Sequence, residues 1–204
     1  MNWTSGKRTL AIALAATGIA LSACVPILVA GGVAVGAWIG SDPRKSETQA
    51  TDLRISTNIT NRIYDLYKTN SHVNVHAFNG QVLLTGEAPT EADRAKIQQI
   101  ARTEAGVKKL YDETVVAPPS ELGTRANDTQ LTARVKTAIL NSAGDPNAIH
   151  ILVTTERKVV YLMGITTEEI ANRAAQAAAN VGGVTQVVKL IEYAPAGPAG
   201  KGSN

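Results

Sequence analysis

The chain has 204 residues, 44% hydrophobic and only 4% aromatic, with a formal charge of +3. Without Lys7 and Arg8, its 20 basic residues fall to 18 against 17 acidic ones, a balance that argues against a nucleic-acid binder. Removal of an N-terminal signal leaves about 180 residues, enough for one ordinary domain or two small ones.

The chain opens on a secretory pattern. Lys7 and Arg8 precede an uncharged apolar run from Leu10 to Ala20, which leads into Leu21-Ser22-Ala23-Cys24, the form of a bacterial lipoprotein cleavage box. Cys24 is the only cysteine, so it has no partner within the chain, and lipid modification accounts for a single thiol in an exported protein. Two or three acyl chains make a stable anchor where one holds only marginally. On this reading residues 1–23 are the signal and 24–51 a lipidated, Gly/Ala-rich tether. Val25 after the cysteine points to the outer membrane by resemblance to the bacterial sorting rule. The alternative is one uncleaved membrane helix from Leu10 to Gly40, long enough to span, with Gly32, Gly36 and Gly40 at a packing spacing. Pro26 and the glycines from Gly31 onward make that a poor helix. Ser41 to Thr51 is polar, with Pro43 barring a helix, and is expected to set distance between membrane and fold.

From there the sequence repeats. Residues 52–116 and 128–192 follow one plan, and a shift of 76 lays Ile55, Ile59 and Ile63 on Leu131, Val135 and Ile139, a helical stripe. Alternating sequence follows, Val73 to Ala77 in the first copy and Ile149 to Val153 in the second, as in a half-buried strand. Asn79-Gly80 predicts a tight hairpin turn, and Thr154 to Lys158 a longer one. The return strands, Val82 to Gly86 and Val160 to Gly164, end at glycine. Thr90 with Asp93, and Thr166 with Glu169, have capping-box spacing and open a second helix in each copy. Gly106-Val107 and Gly183-Val184 close those helices and lead into a third strand. The order is αββαβ twice, an α+β fold of two tandem modules, each a three-stranded mixed sheet with two helices on one face. The other sheet face is expected to be less covered, open to the neighbouring module or to a partner. Residues 117–127 form a linker, and 193–204, rich in Ala, Gly and Pro, a disordered tail.

This paired plan, with Gly86 and Gly164 on the second strands and Gly106-Val107 and Gly183-Val184 before the third, resembles the BON domain family. The lipobox, the Gly/Ala-rich stretch, Ser41-Asp42-Pro43-Arg44, Thr48-Gln49 and Asn127-Asp128-Thr129 extend the resemblance to its dual-BON outer-membrane lipoproteins. The resemblance implies a non-enzymatic periplasmic protein without cofactor, anchored in the inner leaflet of the outer membrane. It implies binding to anionic phospholipids, a part in envelope integrity and cell division, and envelope or division proteins as partners. Lipid contact is implied at the first helix of the second module, Thr129 to Asn141. With Leu131, Val135 and Ile139 turned inward, that helix presents Gln130, Ala133, Arg134, Thr137 and Leu140, with Lys136 at the flank. The basic pair would meet lipid phosphate while Ala133 and Leu140 approach the headgroup boundary. The family pattern has an aromatic where this chain has Gln130, and glutamine cannot insert as an interfacial anchor. In the plain alternative, Gln130, Arg134 and Lys136 solvate an outer face.

Enzymatic chemistry has little footing, and no metal site is expected. His72 and His76 on a strand lie roughly 13 Å apart, too far to share one small metal ion. With His150 in the equivalent strand of the second copy, all three read as strand surface residues. No HExxH, serine elbow or dinucleotide glycine pattern lies in its required context. Glu168 and Glu169, adjacent on a helix, point about 100° apart and suit the first-turn dipole rather than a catalytic pair. The expected protein is a binding platform whose anchor raises the effective concentration of weak lipid contacts. The alternative is an envelope protein-interaction module that uses the less covered sheet face or an edge strand.

Overall fold

The structure, a computed structural model, describes residues 44–143 and 150–194. The expected signal, Cys24, the glycine-rich stretch and the tail from residue 195 lie outside them. Helix α1 (Ser46–Tyr67) buries Ile55, Ile59 and Ile63 on one side, as their spacing requires. It starts inside the segment expected to be tether. A proline disfavours helix in the residues before it, not in those after it, and the Arg44 guanidinium, 2.7 Å from the Asp52 carboxylate, ties down the first turns.

A hairpin of β1 (His72–Phe78) and β2 (Gln81–Ala88) follows, then helix α2 (Glu91–Arg102) and β3 (Lys109–Val116). Strand β2 is central, antiparallel to β1 and parallel to β3, so α2 is the crossover that a parallel pair needs. The second module repeats this as α3 (Leu122–Ala143), β4 (Leu152–Glu156), β5 (Val159–Thr166), α4 (Glu168–Ala179) and β6 (Gln186–Tyr193). The fold is α+β, and the described residues form two three-stranded mixed sheets and four α-helices.

The second hairpin differs from expectation. Ile149, where the strand was expected to start, lies outside the described residues; the strand runs from Leu152, and in place of a long turn from Thr154 it continues to Glu156, leaving Arg157-Lys158 as a two-residue turn. Both adopt positive φ, 52° and 65°, as Asn79 and Gly80 do at 53° and 78°. The physical reason lies in α3. Asp128 accepts the backbone N–H groups of Arg157 and Lys158 at 2.8 and 3.0 Å, just as Asp52 in α1 accepts those of Asn79 and Gly80 at 2.7 and 2.8 Å. Each buried aspartate satisfies two turn donors and pins its helix to its hairpin.

Other boundaries shift for local reasons. Helix α3 begins at Leu122, within the expected linker. Thr90 caps α2 by accepting the N–H of Asp93, with its hydroxyl donating to the Asp93 carboxylate. Helix α4 is capped by Thr167 rather than Thr166, the N–H of Ile170 bonding the Thr167 hydroxyl, because Thr166 is the last residue of β5. The central strands run two residues past Gly86 and Gly164. Helices α2 and α4 end at Arg102 and Ala179, and Gly106 and Gly183, with φ of 97° and 102°, shape the connections onward. Tyr193, expected in the tail, pairs with Thr166 as the end of β6.

Each module has its own helix–sheet core. Val82, Leu84 and Ala88 pack with Ile55, Ile59, Ile97 and Ile100 in the first, and Val153, Val160 and Leu162 with Leu131, Val135, Ile139 and Ala174 in the second. The opposite sheet faces form a third cluster of Phe78 and Leu83 with Tyr161, Met163 and Leu190. Burying such side chains contributes roughly 1.5–3 kcal/mol each, so each module stabilises its neighbour. The layers run helices, sheet, sheet, helices, and the sheet face left open by the sequence reading is inside the molecule.

Candidate functional site

The helix face singled out by sequence lies on the outside of α3. Gln130, Ala133, Arg134, Thr137 and Leu140 are exposed, while Leu131, Val135 and Ile139 are buried beneath them. The face extends further than expected, because Leu122, once placed in the linker, is helical and 81% exposed. At 100° per residue, Leu122, Ala126, Ala133 and Leu140 share one line, about 27 Å long at 1.5 Å per residue. Leu140 is itself half exposed. The Arg134 guanidinium bonds the Gly182 carbonyl oxygen at 2.5 Å, which occupies part of its donor fork in holding the chain after α4. The Thr137 hydroxyl donates to the Ala133 carbonyl. Lys136 is exposed and lies on the flank of that line nearer His76 of the first module. Desolvation lowers its pKa, and its charge, after burial, helps push His76 down to about 4.

A second polar constellation forms where the modules meet. From β1, His72 donates or accepts through Nδ1 at 3.0 Å from Glu87 Oε2, and Asn74 donates to Glu156 at 2.8 Å across the module boundary. The linker contributes Ser120, whose N–H reaches Glu87 at 3.2 Å, and Arg157 lies 3.6 Å from the other Glu87 oxygen. Burial raises the Glu156 pKa, opposed by His72 and Asn74 and reinforced by Glu87 and Asp128. At the far end of the interface Asn79 and Gln81 donate to Glu192. The apolar cluster is thus flanked by hydrogen bonds between modules, which set register as well as adhesion.

The histidines are not strand surface residues. His150 is 8% exposed, and His72 and His76 are partly buried because their strand face meets the other sheet. His72 and His76 remain on one strand, four residues apart, yet His72 is gathered with Glu87 and Glu156. Neither glutamate was singled out by sequence. The signal was present, since Val82-Leu83-Leu84 and Val160-Tyr161-Leu162-Met163 do not alternate, and a continuous apolar run marks a strand covered on both faces. An open groove of about 580 Å³ between α4 and β6 is lined by Asn172, Gln176, Thr185 and small apolar residues, without a titratable group.

Residues 51–118 and 127–195 each match the BON domain model. The chain is 33% identical over 191 residues to the outer membrane lipoprotein DolP of Haemophilus influenzae, covering 93% of this chain and 97% of that one. It is 32% identical over 156 residues to a 21 kDa hemolysin of Actinobacillus pleuropneumoniae, covering 74% and 79%. A solved structure of CdsD, a type III secretion protein of Chlamydia trachomatis, aligns at a TM-score of 0.30 and 13% identity over 69% of this chain and 92% of that one, too weak a likeness to carry an argument.

Proposed function

The chain belongs to the BON domain family, and from that premise we propose that its second module binds anionic phospholipid through the outer face of α3. The protein is an outer-membrane lipoprotein, as is its relative over nearly the whole chain. The observation that carries the proposal is the exposed line of Leu122, Ala126, Ala133 and Leu140, with Lys136 about 40° to one side and Arg134 roughly a quarter-turn to the other at 100° per residue. An apolar ribbon flanked by a cation suits a headgroup boundary, with small residues letting the helix lie close. Gln130 sits at the edge of that ribbon and contributes hydrogen bonding rather than insertion. Lys136 is the cation nearer the ribbon, while Arg134 keeps part of its fork on the Gly182 carbonyl. The protein acts as a non-enzymatic platform in envelope integrity and cell division, its Cys24 anchor holding weak contacts at high local concentration.

A chain lacking the lipid anchor is expected to float with phosphatidylglycerol vesicles and not with phosphatidylcholine alone. Replacing Leu122 and Leu140 with glutamate should abolish flotation without loss of fold, since both are exposed. Equal recovery from both vesicles would overturn the reading. The rival, an interface for envelope proteins, is left with the edge strands, because the sheet face it could also have used is buried between modules.

A further inference from the structure

Strands β1, β2 and β4 bring an imidazole and two carboxylates from different modules to one point. One ligand atom each from His72, Glu87 and Glu156 lies within 4.8 Å of the others. Glu87 is fully buried and Glu156 is 5% exposed. Glu87 Oε2 is served by His72 and by the Ser120 N–H, but Oε1 accepts no hydrogen bond among the described residues. Its neighbour is the Arg157 guanidinium at 3.6 Å, on a side chain 53% exposed. Two carboxylates withdrawn from water are costly unless well compensated. A half-exposed arginine outside hydrogen-bond range is weak compensation for a bare buried oxygen.

We propose that His72, Glu87 and Glu156 form a site for a divalent transition-metal cation of the Zn2+ class, bound across the junction and joining the two modules. The donor set selects the cation. One imidazole nitrogen with carboxylate oxygens suits Zn2+ and its neighbours, whereas Mg2+ and Ca2+ prefer oxygen alone. Bonds of about 2.0–2.2 Å in a tetrahedron place ligand atoms roughly 3.5 Å apart, so the three must close by about an ångström, within reach of glutamate side-chain torsions. Water completes the coordination from the side where His72 is 17% exposed. Arg157 occupies the place of a competing cation and swings outward when the metal enters. With ligands on β1 and β2 of one module and β4 of the other, the metal acts as a clamp between modules.

The test is calorimetric titration of metal-depleted, full-length protein in detergent, without a histidine tag, using ZnCl2. One equivalent should bind, and His72→Gln or Glu87→Gln should weaken it by more than the 10–100-fold typical of losing a mere supporting partner. Arg157→Gln should tighten binding several-fold by removing the competing charge, an opposite sign that misfolding cannot mimic. His76→Gln should leave the affinity unchanged. Absence of stoichiometric binding, or binding that survives both His72→Gln and Glu87→Gln, would overturn the proposal.

Discussion

The two modules reach the same hairpin from opposite starting points. In the first, Asn79-Gly80 favours positive φ by its own chemistry. In the second, Arg157 and Lys158 are held there against the preference of L residues, and the carboxylate of Asp128 supplies the acceptor for both N–H groups. Asp52 does the same for the first turn, with an addition. Arg44 pairs with it at 2.7 Å, both side chains under 10% exposed, and stacks 4.0 Å from the Phe78 ring centroid. A shift of 76 places Ser120 where Arg44 stands, and Asp128 has no ion pair among the described residues. The hairpin is therefore specified by the helix that caps it, and turn chemistry can vary where the cap is kept.

The sharpest way to break this equivalence is at the central-strand glycines. A Cβ on Gly86 would stand 2.0 Å from the His72 carbonyl oxygen at a φ of 102°, whereas on Gly164 it would meet the His150 carbonyl at 3.2 Å without a positive φ. Gly86→Ala is expected to cost more than about 4 kcal/mol and Gly164→Ala about 1–2 kcal/mol, read from urea midpoints. Equal costs would show that the strands carry the same constraint.

The aspartates come next. Asp52→Ala breaks the buried ion pair with Arg44 as well as leaving two N–H groups unmet, and should cost about 3–5 kcal/mol. Asp128→Ala leaves only the turn donors unmet, for about 1–3 kcal/mol. If the double change Arg44→Met, Asp52→Ala proved no milder than Asp52→Ala alone, the ion pair would not be the source of the difference.

The smallest effect concerns acid. His76 has its pKa lowered to about 4 by burial and by Lys136, and its counterpart in the β4 register, Thr154, does not titrate. The folded state resists protonation that the unfolded chain accepts near 6.5, so the His76 penalty is absent above that pH and grows as pH falls toward 4. Partial exposure tempers it. Thermal melts across that window should show a shallower fall for His76→Gln than for the parent chain; parallel curves would remove His76 as the cause.

Much of each module was legible. Ile55, Ile59 and Ile63, and their counterparts Leu131, Val135 and Ile139, show helical spacing, and all six are buried. Thr90 was a readable cap because its partner Asp93 is three residues away. Thr166 misled because a second threonine follows it, and one residue of strand decides which becomes the cap. The outer face of α3 could be drawn from the inward stripe alone, though its extension to Leu122 could not, since Pro118-Pro119 suggested a longer linker than the chain uses. His72, Glu87 and Glu156 were illegible as a group because they meet only when one sheet faces the other.

The amino-acid sequence by itself determined the repeated αββαβ order and the inward side of each helix, because periodicity and capping act within a few residues. Tertiary structure alone decided that the free sheet faces close on each other, that Arg157-Lys158 turns as tightly as Asn79-Gly80, and that a histidine and two glutamates converge. Those outcomes depend on contacts between residues up to 113 positions apart, as between Asn79 and Glu192, and such contacts form only where two surfaces fit and exclude water together.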